Sequence, residues 1–265
     1  NTVGYKSART EFSDLFSSTI RRSSPSDGTG NGSNQASLQI GSGVQVQAVG
    51  SNFNQGPLEP TGQKTNIAVI GEGFFTVVDS VNNRDYITRA GNFRMDDNGY
   101  IVTPDGFRLQ GLTGGTSLVA PAAIGDLRYD ITYTPPNPGD PELSDFAIDE
   151  TGRLNYILTD GSSFTAGQVL LHRFTDPQAL VKEGNGLFTG TDAAGPVGGA
   201  TLNAANHTPG TNGLGTMRSG FIEMSNVDLT TEFANVITTQ RSFQAGSRII
   251  TVSDEMLQEI VNLKR

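Results

Sequence analysis

Residues 225–265 read SNVDLTTEFANVITTQRSFQAGSRIITVSDEMLQEIVNLKR, and no proline interrupts them. Asp228 is a good N-cap, and Glu232 places an anion in the first turn, where the helix dipole favours one. A helix over the 38 residues from Asp228 to Arg265 would be about 57 Å long, with Gly246 as its weak point. Leu229, Val236, Phe243, Ile250 and Leu257 recur every seven residues, and Ile237, Ile249, Met256, Ile260 and Val261 widen that stripe. An apolar stripe on this scale must be covered, and a sustained period of seven asks for another helix as the cover. The companion column, Phe233, Gln240, Ser247, Asp254 and Val261, is polar in its middle. The spacing therefore predicts a helix tightly packed along one edge and partly wet along the other, as in a multi-helix layer. An ordinary core helix averages ~11 residues, so assembly explains this length better than a place inside one small domain.

Working outward, the remaining chain reads as β-structure. Gly supplies 33 of 265 residues and charged residues only 17%, a balance suited to short strands and tight turns. VQVQAVG at 44–50 alternates apolar and polar side chains, which predicts a half-buried strand. NIAVIGEGFFTVVD at 66–79 predicts two strands around Gly71 and Gly73, or one strand with a bulge. FRMDDNGYI at 93–101 and FAIDETGRL at 146–154 share one pattern, each followed by an Asp-Gly pair, Asp105-Gly106 and Asp160-Gly161. Gly99 and Gly152 take the left-handed turn in each, so the repeat predicts two β-hairpins.

TEFSDLFSSTIRR at 10–22 spaces Phe12, Leu15, Phe16 and Ile20 by three and four, which predicts a short helix. At about 20 Å that helix could not cover the C-terminal one, so the cover is expected either from a segment missing from this sequence or from other chains. SSPSDGTGNGSNQAS at 23–37 has no apolar period and predicts a flexible linker. The four prolines of YTPPNPGDPELS, 133–144, exclude a central strand. The expected fold class is mainly β with a long C-terminal α-helix. Its expected parts are an N-terminal segment at 1–37, a discontinuous core β-domain at 38–112 and 166–226, a surface-displayed inserted β-module at 113–165, and an assembly helix at 227–265.

The chemistry available is narrow. With no cysteine and only two histidines, His172 and His207, a zinc site, a thiol nucleophile or a catalytic triad has almost no material; no metal or cofactor is expected. Asp96-Asp97-Asn98-Gly99 lacks the ligand spacing of a calcium loop, and adjacent Asp149 and Glu150 cannot flank a sugar. IGEGFF lacks the third glycine of a dinucleotide fingerprint. A net charge of −9 argues against a nucleic-acid groove, and no apolar run reaches the ~18 residues of a membrane span. Neither a small-molecule substrate nor an enzyme activity is expected. A surface glycan-binding or adhesin-like β-protein using the 113–165 module is the competing expectation.

NTVGYKSARTEFSDLF (1–16) and the stretch from Gly220 to Leu263, with its S-N-V-D-L, Q-R-S-F and D-E-M-L steps, resemble the two ends of the bacterial flagellar hook and rod axial protein family. IAVIGEGFFTV, YITRAGNFRMDDNGYIVTPDG and GQVLLHRFTDPQALVKEGNGLF resemble its core β-domain. The resemblance implies terminal helices that pair into a coiled coil lining a tubular polymer, with β-domains projecting outward, in a flagellar basal body or hook reached through the flagellar export apparatus. It implies a helix upstream of Asn1, and as partners the chain itself and neighbouring axial proteins. Leu229, Phe233, Val236, Ile237, Phe243, Ile250, Leu257, Ile260 and Val261 are the expected assembly residues. The polar stretch at 23–37 resembles the insertion of distal-rod proteins, whereas SRIITVSDEMLQEIVNLKR looks more like the hook; the balance leans to the distal rod.

Overall fold

A computed structural model describes residues 2–23, 35–114, 123–129 and 141–263. It resolves into two units, Asn1–Ser225 and Asn226–Arg265. The stretch expected as a flexible linker lies largely outside the described residues, as do residues 133–140 of the proline-rich segment.

The first unit begins with a ribbon where the sequence predicted a helix. Strands β1 (Ala8–Asp14) and β2 (Ser17–Arg21) run antiparallel to β4 (Val44–Ser51) and β3 (Leu38–Gly41), respectively. The Leu15 amide donates to the Gly43 carbonyl at 2.8 Å and the Ser42 amide to that of Phe16 at 3.2 Å, which joins the two pairs end to end. Phe12, Phe16 and Ile20 are four residues apart, a spacing that fits a helix but is also an even number and so fits one face of a strand. The non-local partners decide: 44–51 and 38–41 offer strands for the two halves of 8–21 to pair with. The strand expected at 44–50 is present but not half-buried, for Val44, Val46 and Val49 are all exposed.

Strands β5 (Leu58–Pro60) and β6 (Ile67–Ile70) pair with late strands, whereas β7 (Phe74–Asp79) and β8 (Arg84–Thr88) form a hairpin in the main sheet. The two apolar runs around Gly71 and Gly73 are thus two strands in different sheets. Both glycines have positive φ, 101° and 137°, and a Cβ on Gly73 would stand 3.0 Å from Leu171 Cδ1.

Next come β9 (Arg94–Met95), β10 (Ile101–Val102), β11 (Arg108–Thr113), β12 (Ala123–Asp126), β13 (Leu143–Ile148), β14 (Arg153–Leu158) and β15 (Ser163–Val169). Their antiparallel pairings run β9-β10-β11-β15-β14-β13, a palindromic order with the two repeat copies on either side of the β11–β15 seam. The repeated aspartate explains the motif. Asp96 Oδ1 accepts from the Asn98 and Tyr100 amides at 3.0 and 2.7 Å, and Asp149 Oδ1 from the Thr151 and Arg153 amides, both at 2.9 Å. Gly99 and Gly152 close these turns at φ 81° and 75°.

The expected separate module at 113–165 does not stand apart. Its described strands hydrogen-bond into the main sheet, and Phe146, Ile148, Leu154 and Tyr156 share one buried cluster with Ile67, Phe75, Leu109 and Leu171. Proline and glycine density marks the loops but not which sheet the flanking strands join.

The chain then adds β16 (Leu171–Phe174), β17 (Val181–Gly184), β18 (Leu187–Thr189), β19 (Pro196–Val197), the short helix α1 (Ala204–His207), β20 (Thr216–Ser219) and β21 (Phe221–Glu223). Phe74, Phe174 and Phe188 form a second cluster beside them. The second unit carries α2, Leu229–Leu263, a helix of 35 residues. Asp228 caps it, accepting from the Thr230 amide at 2.9 Å and the Thr231 hydroxyl at 2.9 Å.

Candidate assembly surfaces

No residue of α2 is buried. Phe243 is 78% exposed, and Leu229, Phe233, Val236, Ile237, Ile250, Leu257, Ile260 and Val261 lie between 49% and 68%. All nine predicted residues therefore sit on one helix as uncovered apolar surface, far more than a stable isolated helix would carry. The hydroxyls of the helix are spent locally. Thr238, Thr239, Ser242, Ser247, Thr251 and Ser253 each donate to the carbonyl four residues back, at 2.8–3.1 Å. Helices packed against this surface would bury hydroxyl donors already satisfied, avoiding the cost of an unmet polar group.

A second uncovered surface escaped the sequence reading. Register places Phe12 opposite Val46 and Asp14 opposite Val44 on one face of the ribbon, with Ser13 opposite Gln45 on the other. Phe12 and Val46 are 65% and 55% exposed. The alternation of VQVQAV was the available signal. What it lacked was any sign that no sheet covers the valines.

The two histidines are packed against each other, with His172 Nδ1 and His207 Nε2 buried without a hydrogen-bond partner among the described residues. His172 on β16 and His207 at the end of α1 meet edge to face with centroids 4.6 Å apart, both buried. Burial, then the charge of His207, pushes the His172 imidazole down to about 4; burial also lowers His207, whose Nδ1 accepts from the Asn203 amide at 3.1 Å. Asp149 holds its turn through backbone amides, as above. Among the described residues no three His, Cys, Asp or Glu side chains gather as metal ligands, and no helix is long and apolar enough to cross a membrane.

Residues 218–263 match the family described as flagellar basal body rod FlgEFG protein C-terminal, and residues 68–156 the flagellar hook protein FlgE/F/G D1 domain. The chain is 37% identical to the flagellar basal-body rod protein FlgG of Bacillus subtilis, over 100% of this chain and 89% of that one. It is 32% identical to the protein of the same name in Agrobacterium fabrum, over 97% and 86%. Similarity to the flagellar hook protein FlgE of Borreliella burgdorferi is 38% over 122 residues, 46% of this chain and 26% of that one.

Proposed function

The chain belongs to the flagellar hook and rod axial protein family, and from that premise we propose that it is a distal-rod subunit polymerising through the apolar stripe of α2. It is a structural subunit of the flagellar basal body and needs no catalytic step to act. The observation that carries the proposal is the continuous exposed stripe of α2, about 52 Å at 1.5 Å per residue over its 35 residues. Leu229, Phe233, Val236, Ile237, Phe243, Ile250, Leu257, Ile260 and Val261 are the contacts assigned to neighbouring subunits. Contacts of this kind between unlike surfaces propagate a helical filament instead of closing a ring, and packed helices along its length pass torque between neighbours. The rod assignment draws support from the extent of similarity, which spans nearly the whole chain for rod relatives and 46% of it for the hook relative.

In the full-length protein, Ile250→Asp puts a charge where the neighbouring helices pack, and burying that charge unpaired is strongly unfavourable. Tomography of cells producing only this variant is expected to show rods that stop short of the distal segment and no hooks. Complete rods and motile cells would overturn the reading. Complete rods with hooks alone missing would move the chain from rod to hook.

A further inference from the structure

Lys6 is wholly buried, its ammonium donating to Glu223 Oε1 at 2.7 Å and to the Asn54 carbonyl at 2.8 Å. The same Oε1 accepts from the Gly56 amide at 2.8 Å, while Oε2 faces Arg89 Nη1 at 3.4 Å. Arg89 donates onward to the Gly71 carbonyl at 2.7 Å and lies over the Phe74 ring. The backbone follows the same convergence, for the Gly4 amide donates to the Glu223 carbonyl at 2.7 Å and the Asn52 amide to that of Ser7 at 2.7 Å. The slot is close-fitting. A Cβ on Gly4, whose φ is 63°, would lie 2.6 Å from the Ala90 nitrogen, and one on Gly56 would lie 2.0 Å from the Met224 carbonyl oxygen.

One carboxylate therefore grips three stretches that the sequence keeps far apart: the incoming segment at 2–7, the return from the ribbon at 52–56, and β21, which ends three residues before the second unit begins. A buried ammonium is a poor way to gain stability, because desolvation consumes most of the attraction. Burial is the leading influence on Lys6 and lowers its proton affinity, with Glu223 opposing. What the ammonium supplies is selectivity, since it docks only where a carboxylate waits and the donors and acceptors around it are met.

We propose that Glu223 is the positioning residue of the subunit, holding Lys6 so that the chain entering the β-body and the chain leaving it toward α2 are gripped at one point. This rests on the reading of the chain as an axial polymer subunit, in which a force on α2 must reach the β-body. Lys6→Met leaves Glu223 paired with Arg89, so the β-body keeps a neutral buried pair while the incoming segment loses its anchor.

The test is hydrogen exchange on the soluble full-length Lys6→Met protein, with assembled rods counted in cells producing it. The Gly4 and Asn52 amides are expected to exchange at least about tenfold faster, with β7 and β11 unchanged, and assembled rods to fall about tenfold. Glu223→Gln should free the same two amides. Wild-type exchange at Gly4 and Asn52 in Lys6→Met would overturn the proposal, as would freed amides with a normal number of rods, or equal loss of protection throughout the sheet. If Ile250→Asp subunits assemble, it is the polymer reading that fails, and the exchange result at Gly4 still stands or falls by itself.

Discussion

Removing the carboxylate of Glu223 leaves Lys6 and Arg89 buried side by side with no ion-pair partner in contact, only the charge of Glu72 acting on Arg89, whereas removing the ammonium of Lys6 leaves a paired Arg89 and Glu223. Glu223→Gln is accordingly expected to cost about 3–5 kcal/mol, the range for breaking a buried pair from one side, and Lys6→Met well under half of that. Urea denaturation of both variants checks the ordering, and equal losses would refute it. The histidine pair gives a pH dependence with a definite sign. His172 is held near 4 when folded against 6.5 when free, so the unfolded chain binds the extra proton between those values. Stability is full above pH 6.5, falls as pH drops toward 4, and levels below, a loss of roughly 3 kcal/mol at 1.36 kcal/mol per pKa unit. In His172→Phe, where the ring still meets Phe174, urea midpoints between pH 4 and 7 should lose the His172 share of the slope and keep that of the buried His207; an unchanged slope would assign it elsewhere. Neither cluster was legible beforehand. Lys6 and Glu223 are 217 positions apart, and no local pattern marks a lysine that folds inward.

At the scale of elements, periodicity succeeded where one face alone decides the structure. The seven-residue recurrence from Leu229 to Leu257 and the cap at Asp228 gave α2 nearly to its ends, and the repeated Asp-x-x-Gly turns gave both hairpins. It failed at 10–22, where a spacing of four serves helix and strand alike and the partner strand lies some thirty residues away. The ribbon that replaced the expected helix makes a prediction of its own. Because Phe12 and Val46 are exposed in the isolated chain, Phe12→Ser and Val46→Ser should each change folding stability by no more than about 0.5 kcal/mol. Thermal denaturation measures it, and a loss of several degrees would mean that this face is already covered within one chain.

For the whole molecule, the β-body is self-sufficient and the helix is not. A sheet whose palindromic center joins two copies of one hairpin buries its own clusters, including strands from the stretch that proline and glycine density had set aside as an outer module. The helical unit buries nothing of its own, and that imbalance is why an apolar stripe in an acidic, glycine-rich chain points to a polymer. The absence of cysteine from this chain makes the claim directly measurable. With Phe243→Cys in otherwise intact full-length protein, maleimide labelling is compared between soluble subunits and purified basal bodies. Labelling is expected to be rapid in the free subunit and at least about tenfold slower in the assembled rod if a neighbouring helix covers position 243. Equal labelling in both states would contradict the claim.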